Sequence, residues 1–146
     1  MSENAPNGPE TTIRVEDLAK SYRVGKRTVD ALREVHLEIA SGEFVALIGA
    51  SGTGKSTLLH LLGGLDRPDR GRIECCGLDI ARISQRRRAQ FRRETIGFVF
   101  QAYHLLPELD AQENVALPAR IRRHRHEETQ QRAASLLERV GLKNRA

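Results

Sequence analysis

Short apolar segments separated by polar turns run along the whole chain and predict an alternation of strands and helices. Residues 44–48 read Phe-Val-Ala-Leu-Ile, a continuous apolar run that is typical of a strand covered on both faces in a parallel sheet. Residues 96–100, Ile-Gly-Phe-Val-Phe, are predicted as a second core strand. Alternating or β-branched residues predict shorter strands at 12–15, 35–39 and 72–75. The pattern therefore indicates an α/β fold.

Four segments have the composition or periodicity of helices. Lys55–Leu62 carries closely spaced leucines and is followed by two glycines, which indicates a largely buried helix. Residues 84–95 are polar and rich in arginine, which predicts an exposed helix. A short helix is expected around 111–117, ending before Pro118. Residues 126–140 place apolar side chains on one stripe and precede a glycine, so a longer amphipathic helix is predicted.

Length and composition predict one soluble globular domain. The chain has 146 residues, of which 39% are hydrophobic and 29% are charged. Its longest apolar runs are far too short to span a bilayer. Residues 1–10 lack both a basic start and an apolar run, so no signal peptide is predicted, and their Ser, Asn, Pro and Gly content indicates a disordered tail. We expect a cytoplasmic protein with its domain at 11–146.

The charge and the cysteines give little indication of a specific chemical function. The net charge is +5, with arginines grouped at 86–88 and 120–125. Such charge can indicate a nucleic acid or an anionic membrane surface. Aromatic residues make up only 4% of the chain and none lies among these arginines, so no stacking platform and no nucleic-acid partner are expected. Cys75 and Cys76 are adjacent and have no zinc spacing, which favours two reduced thiols near a strand.

A glycine-rich loop between the 44–48 segment and the first helix carries the strongest chemical signal. It fits G-x-x-x-x-G-K-[ST] at every fixed position, with a buried strand predicted before it and a helix after it. Its glycines allow backbone N–H groups to approach phosphates without Cβ clashes, and the helix N-terminus adds its dipole. The alternative is a glycine-rich turn that happens to end in Lys-Ser. The predicted ligands are ATP and Mg²⁺, and the predicted binding residues are Gly49, Ala50, Ser51, Gly52, Thr53, Gly54, Lys55, Ser56 and Thr57.

Each polar side chain of the loop has an expected role. Lys55 would reach the β- and γ-phosphates through a charge-assisted contact worth about 1.5–3 kcal/mol. Ser56 would be a ligand of Mg²⁺. Thr57 would support the loop or the α-phosphate.

The loop and two further segments resemble the ATP-binding domain of ABC transporters. Residues 50–52, Ala-Ser-Gly, and 57–59, Thr-Leu-Leu, match the way that this family writes its phosphate loop. Residues 96–101 resemble the strand that leads into the family's Q-loop, which implies that Gln101 helps to bind Mg²⁺ and senses the γ-phosphate, a catalytic role shared with Lys55. Without the resemblance, Gln101 would be read as a solvent-facing residue at a strand end.

The third segment, Lys20-Ser21-Tyr22, resembles the family's A-loop, which implies that the Tyr22 ring stacks on adenine. Tyr22 and Gly25 are expected to mark a turn between the first two strands. The alternative for Tyr22 is an amphipathic core tyrosine.

The resemblance narrows to the LolD/MacB/FtsE-type branch through residues 58–67, 104–107 and 113–115 with Gly71. It implies a P-loop NTPase fold, with a RecA-like ABC ATPase core and an N-terminal antiparallel β region. It also implies an ATP-binding subunit on the cytoplasmic face of the inner membrane, coupling ATP binding and hydrolysis to lipoprotein release or to macrolide or peptide export. The implied partners are a membrane-spanning permease subunit and a second ATP-binding copy in a homodimer.

The family's signature motif, Walker B carboxylates and H-loop histidine do not occur in the sequence. We therefore expect a C-terminally incomplete nucleotide-binding domain at 11–146, in which nucleotide binding is encoded but hydrolysis by this chain alone is poorly supported. Two alternatives stay open: a truncated, non-hydrolysing remnant, and a DNA-repair-type ABC ATPase, which would bind DNA in a salt-dependent manner.

Overall fold

The computed structural model describes residues 11–143, which fall into two compact units. The first unit ends at Gly97 and the second begins at Phe98. The predicted tail at 1–10 lies outside the described residues. No helix in the described part of the chain has the length and apolar content that a membrane crossing requires.

The first unit is built on a four-stranded antiparallel sheet. β1 lies between β2 and β3, and β4 pairs with the other edge of β3. β1 and β2 form a long hairpin that turns at Gly25, whose φ of 62° suits glycine. The four strands are β1 (Thr11–Val24), β2 (Arg27–Ala40), β3 (Arg70–Cys75) and β4 (Leu78–Asp79).

The strands predicted at 12–15, 35–39 and 72–75 are confirmed, but the hairpin strands are much longer than their apolar pattern. Cross-strand pairing between β1 and β2 continues through polar residues as far as the turn. Tyr22 accordingly lies within β1, opposite Val29, and its predicted place in the turn is wrong. Hairpin pairing extends a strand beyond the residues that its periodicity marks.

Two helices complete the first unit. α1 (Lys55–Leu62) has the predicted bounds and buries Leu58, Leu61 and Leu62 in one core with the sheet residues Val15, Leu18 and Ile73. Each such leucine contributes about 1.5–3 kcal/mol on burial. α2 (Gln85–Thr95) confirms the helix predicted at 84–95, and its first turn is capped by Ser84, whose hydroxyl accepts a hydrogen bond from the Arg87 N–H at 3.3 Å.

The two apolar runs predicted as core strands are not strands in the described residues. Neither 44–48 nor 96–100 pairs with another strand. Phe44 is 96% exposed and Ile48 94% exposed, while only Leu47 of that run packs partly against the core. The prediction of two buried parallel strands is therefore wrong here. A strand forms its backbone hydrogen bonds only with a neighbouring strand, and an apolar run in the sequence does not show which segment that neighbour will be.

The second unit contains two helices that pack on each other. α3 (Ala111–Ile121) begins with a capping box formed by Asp110 and Glu113, and α4 (His126–Arg139) buries Ala133 and Leu137. The helix predicted to end before Pro118 continues past it. Pro118 lacks its own N–H, but its carbonyl still accepts a hydrogen bond from Arg122 at 3.2 Å, so the helix persists for another turn.

Candidate phosphate-binding site

The glycine-rich loop joins the extended 44–48 segment to the start of α1. Gly52 and Gly54 have φ values of 81° and 87°, in the left-handed region that favours glycine. A Cβ on Gly54 would lie 2.4 Å from the carbonyl oxygen of Ala31 and 2.8 Å from a methyl carbon of Leu32. The absence of a side chain at Gly54 therefore allows the start of α1 to lie directly against β2.

The first turn of α1 presents unpaired backbone donors. Gly54 is the N-cap residue and makes no side-chain cap, and the first hydrogen bond of the helix runs from the Leu58 N–H to the Gly54 carbonyl at 2.8 Å. Within residues 11–143, the N–H groups of Lys55, Ser56 and Thr57 have no acceptor. Three free donors at a helix N-terminus, with the positive end of the dipole, favour an anionic group.

The amino group of Lys55 lies across the loop. Its Nζ donates to the carbonyl oxygens of Gly49 at 2.9 Å and Ala50 at 2.6 Å, and it is 3.4 Å from the Thr53 hydroxyl. The Thr53 hydroxyl itself donates to the Ala50 carbonyl at 2.9 Å. Ser56 is exposed one residue further along. The loop thus combines a cation, free N–H donors and an exposed hydroxyl, the groups that a magnesium-bound polyphosphate requires.

Tyr22 lies at the same end of the first unit as the loop. Its hydroxyl donates to the Asp66 carboxylate at 2.9 Å, and the side chain is 37% exposed, so it is not a core tyrosine. Burial of the hydroxyl and the hydrogen bond to Asp66 raise the pKa of Tyr22, while a hydrogen bond with Thr57 acts in the opposite direction. The hydroxyl of Tyr22 is therefore in contact with the last residue of the predicted phosphate loop.

Lys20 and Asp66 join this cluster and were not among the predicted site residues. The Lys20 Nζ lies 5.1 Å from the centroid of the Tyr22 ring and 3.4 Å from a carboxylate oxygen of Asp66. The sequence does hold one signal, because residues i and i+2 of a strand share a face, which places Lys20 beside Tyr22. Asp66 is 44 residues from Tyr22, and no local pattern connects them.

Gln101 belongs to the second unit, where its side chain is exposed in a bend. Just before it, the rings of Phe98 and Phe100 stack with centroids 5.2 Å apart, and His104 meets Phe100 edge to face at 4.9 Å. The apolar run that was predicted as a strand thus packs its rings on each other. The predicted role of Gln101 remains a prediction.

Comparison with known proteins identifies the family. A family model described as ABC transporter matches residues 32–146, most of the chain. The chain belongs to the ABC transporter family. Membership implies nucleotide binding, which agrees with the donors and the cation gathered at residues 49–57.

Individual relatives agree with this assignment. The chain is 45% identical over 136 residues to the lipoprotein-releasing system ATP-binding protein LolD of Shewanella sp. strain MR-7, covering 93% of this chain and 59% of LolD. It is 47% identical over 130 residues to the macrolide export ATP-binding/permease protein MacB of Sodalis glossinidius, covering 89% of this chain and 20% of MacB. The expected likeness to the LolD and MacB branch is confirmed.

A solved structure extends the likeness to the fold. The ATP-binding cassette MJ0796, in a dimeric post-hydrolysis state bound to ADP and Pi, is 38% identical with a TM-score of 0.79, covering 86% of this chain and 56% of that one. The expected fold class, an α/β P-loop ABC ATPase with an antiparallel β region, is confirmed. The chain spans about three fifths of the length of LolD.

Proposed function

We propose that residues 49–57 bind the phosphates of ATP together with Mg²⁺. The observation that supports this best is the loop itself: the Lys55 amino group lies within 2.6–2.9 Å of two loop carbonyls, beside three N–H groups that have no acceptor among the described residues. These groups are complementary to the oxygens of a triphosphate in charge and donor type.

The remaining site residues have proposed roles in the same complex. Ser56 would be a ligand of the metal, since its hydroxyl is exposed at the first turn of α1. Gln101 would contribute to the metal and to sensing of the γ-phosphate, and Tyr22 would stack on the adenine. Bound Mg²⁺ would neutralise phosphate charge, and Lys55 would bind the β- and γ-phosphates.

In the whole protein, this domain would be the ATP-binding subunit of an ABC transporter. It would couple ATP binding and hydrolysis to a membrane-spanning permease, in lipoprotein release as in LolD or in macrolide or peptide export as in MacB. The names of these relatives support this proposal, and the dimeric MJ0796 cassette supports pairing with a second copy. The location would be the cytoplasmic face of the inner membrane, and residues 11–146 would form part of the nucleotide-binding domain.

The phosphate site is tested by Lys55→Ala, with Lys26→Ala as the matched control, because Lys26 is an exposed lysine in the hairpin turn. Loss of a charge-assisted contact should weaken MgATP binding about 10-fold to 150-fold in calorimetric titration. Magnesium tripolyphosphate should lose affinity equally, since the contact is to phosphate. Lys26→Ala should bind both ligands as the unmodified chain does. Unchanged affinity in Lys55→Ala would refute the site.

A further inference from the structure

Asp66 makes several polar contacts through both its carboxylate and its backbone. It lies just beyond the two glycines that end α1, and its carboxylate accepts hydrogen bonds from the Tyr22 hydroxyl at 2.9 Å and from the Arg67 N–H at 2.7 Å. Lys20 adds its charge at 3.4 Å, with a side chain only 11% exposed. Burial by itself would raise the pKa of Asp66, but these three partners together lower it below the usual value, so the carboxylate is ionised at neutral pH.

The backbone around Asp66 is held by side chains of α2. Arg88, a buried arginine, donates from its guanidinium to the Asp66 carbonyl at 3.3 Å. Arg92 donates to the carbonyl of Gly64, two residues earlier, at 2.8 Å. Contacts on both its carboxylate and its carbonyl thus fix Asp66 in place.

A fixed acceptor has a direct consequence for the Tyr22 ring. A tyrosine on an exposed strand face would otherwise rotate about its side-chain torsions and lose that freedom when a ligand stacks on it. The hydrogen bond to Asp66 holds the hydroxyl end, and Lys20 lies over the ring at 5.1 Å from its centroid. A planar base that stacks on Tyr22 would therefore meet a ring that is already held in place.

We propose that Asp66 is a positioning residue for the nucleobase: it holds the Tyr22 ring through its hydroxyl, and so sets the affinity for adenine without affecting the affinity for the phosphates. This inference rests on the proposed ATP site. It adds to that site a residue that does not contact the nucleotide, and it divides the site into a part that binds the phosphates and a part that binds the base.

The experiment compares two ligands, MgATP and magnesium tripolyphosphate, which has no base, in calorimetric titrations of the full 146-residue chain. Asp66→Ala should raise the Kd for MgATP about threefold to tenfold, the effect of one net hydrogen bond, and leave the Kd for tripolyphosphate unchanged. Tyr22→Phe keeps the ring but loses both the hydrogen bond to Asp66 and the one with Thr57, so its Kd for MgATP should rise at least as much. The double variant should be no worse than Tyr22→Phe, because both substitutions remove the contact between Tyr22 and Asp66.

Two further variants separate the hydrogen bond from general charge effects. Asp66→Asn keeps an oxygen that can accept from Tyr22 and should restore most of the MgATP affinity. Asp69→Ala removes another carboxylate that contacts Lys20, at 3.4 Å, and that accepts from the Ser21 N–H at 2.6 Å, but it has no hydrogen bond with the Tyr22 hydroxyl, so its effect should be smaller than that of Asp66→Ala. Additive losses in the double variant, equal losses for both ligands, or a loss in Asp69→Ala as large as in Asp66→Ala would overturn the proposal.

A spectroscopic measurement checks the anchor without any ligand. In a Tyr103→Phe background Tyr22 is the only tyrosine, and the chain has no tryptophan. Its phenolate absorbance should appear at lower pH in Asp66→Ala, since the hydrogen bond to Asp66 contributes to the raised pKa. An unchanged titration would overturn the anchor. If Lys55→Ala leaves both ligands bound, the phosphate site itself is refuted, an outcome distinct from an unaffected Asp66→Ala alone.

Discussion

Replacing Gly54 with alanine tests why the phosphate loop needs glycine at the start of α1. The new Cβ would lie 2.4 Å from the Ala31 carbonyl oxygen and 2.8 Å from a Leu32 methyl carbon, both on β2. Gly52→Ala is a close control, since Gly52 has a nearly equal φ, 81° against 87°, but a Cβ there would meet nothing within 4 Å. The two variants share the backbone strain and differ in the contact.

The cost of each variant follows from these contacts. A Cβ in the left-handed region costs about 1–2 kcal/mol, and this applies to both positions. At Gly54 either α1 or β2 must also move, and overpacking of this kind costs about 1–3 kcal/mol more. Gly54→Ala should therefore be less stable than Gly52→Ala by about 1–3 kcal/mol.

Urea unfolding measures this difference. A Tyr103→Phe background leaves Tyr22, in β1, as the only tyrosine, so its fluorescence reports on the first unit. With an m-value of about 1–3 kcal/mol/M, the midpoint of Gly54→Ala should lie about 1 M below that of Gly52→Ala. Equal midpoints for the two variants would show that the contact between the loop and β2 is not tight, which would refute the reasoning.

Two predictions concern residues outside the phosphate loop. Asn114 donates from its amide to the carbonyls of Leu106, Leu109 and Asp110 at 2.9–3.1 Å and accepts from the Leu106 N–H at 2.9 Å. Asn114→Ala should destabilise the second unit by about 1–3 kcal/mol, measured by urea unfolding followed by circular dichroism. Asn114→Asp keeps only the acceptor, so its stability should lie between that of Asn114→Ala and that of the unmodified chain. An unchanged midpoint in Asn114→Ala would contradict this prediction. Cys75 is buried, and burial together with the neighbouring Cys76 raises the pKa of its thiol to about 11, whereas Cys76 is exposed. Iodoacetamide at pH 8 should therefore label Cys76 alone in the folded chain, and Cys75 only after denaturation. If mass spectrometry finds that both thiols react at the same rate in the folded chain, the prediction is contradicted.

Features encoded by a few neighbouring residues could be predicted from the sequence. The bounds of α1 follow from the glycine before it and the two glycines after it, and α2 begins where Ser84 can cap it. The glycine positions of the phosphate loop are likewise local, because a left-handed φ is a property of a single residue. The family could be inferred from the same short motifs, and the comparisons confirm it.

Pairing between distant segments could not be read from the chain. The 44–48 run has the composition of a buried strand, yet in the described residues it lies exposed and unpaired, since burial depends on which strand lies beside it. The hairpin strands extend through polar residues because each strand is paired with the other from the turn to its far end.

The sequence by itself determined the loop, its cation and the helix that follows, because backbone conformation and helix initiation depend on residues within a turn of each other. Only the tertiary structure decided that Asp66 meets Tyr22 and Lys20, and that Gly54 lies against β2. These contacts join residues that are 22 to 46 positions apart, and bringing them together requires the whole core of the first unit to form.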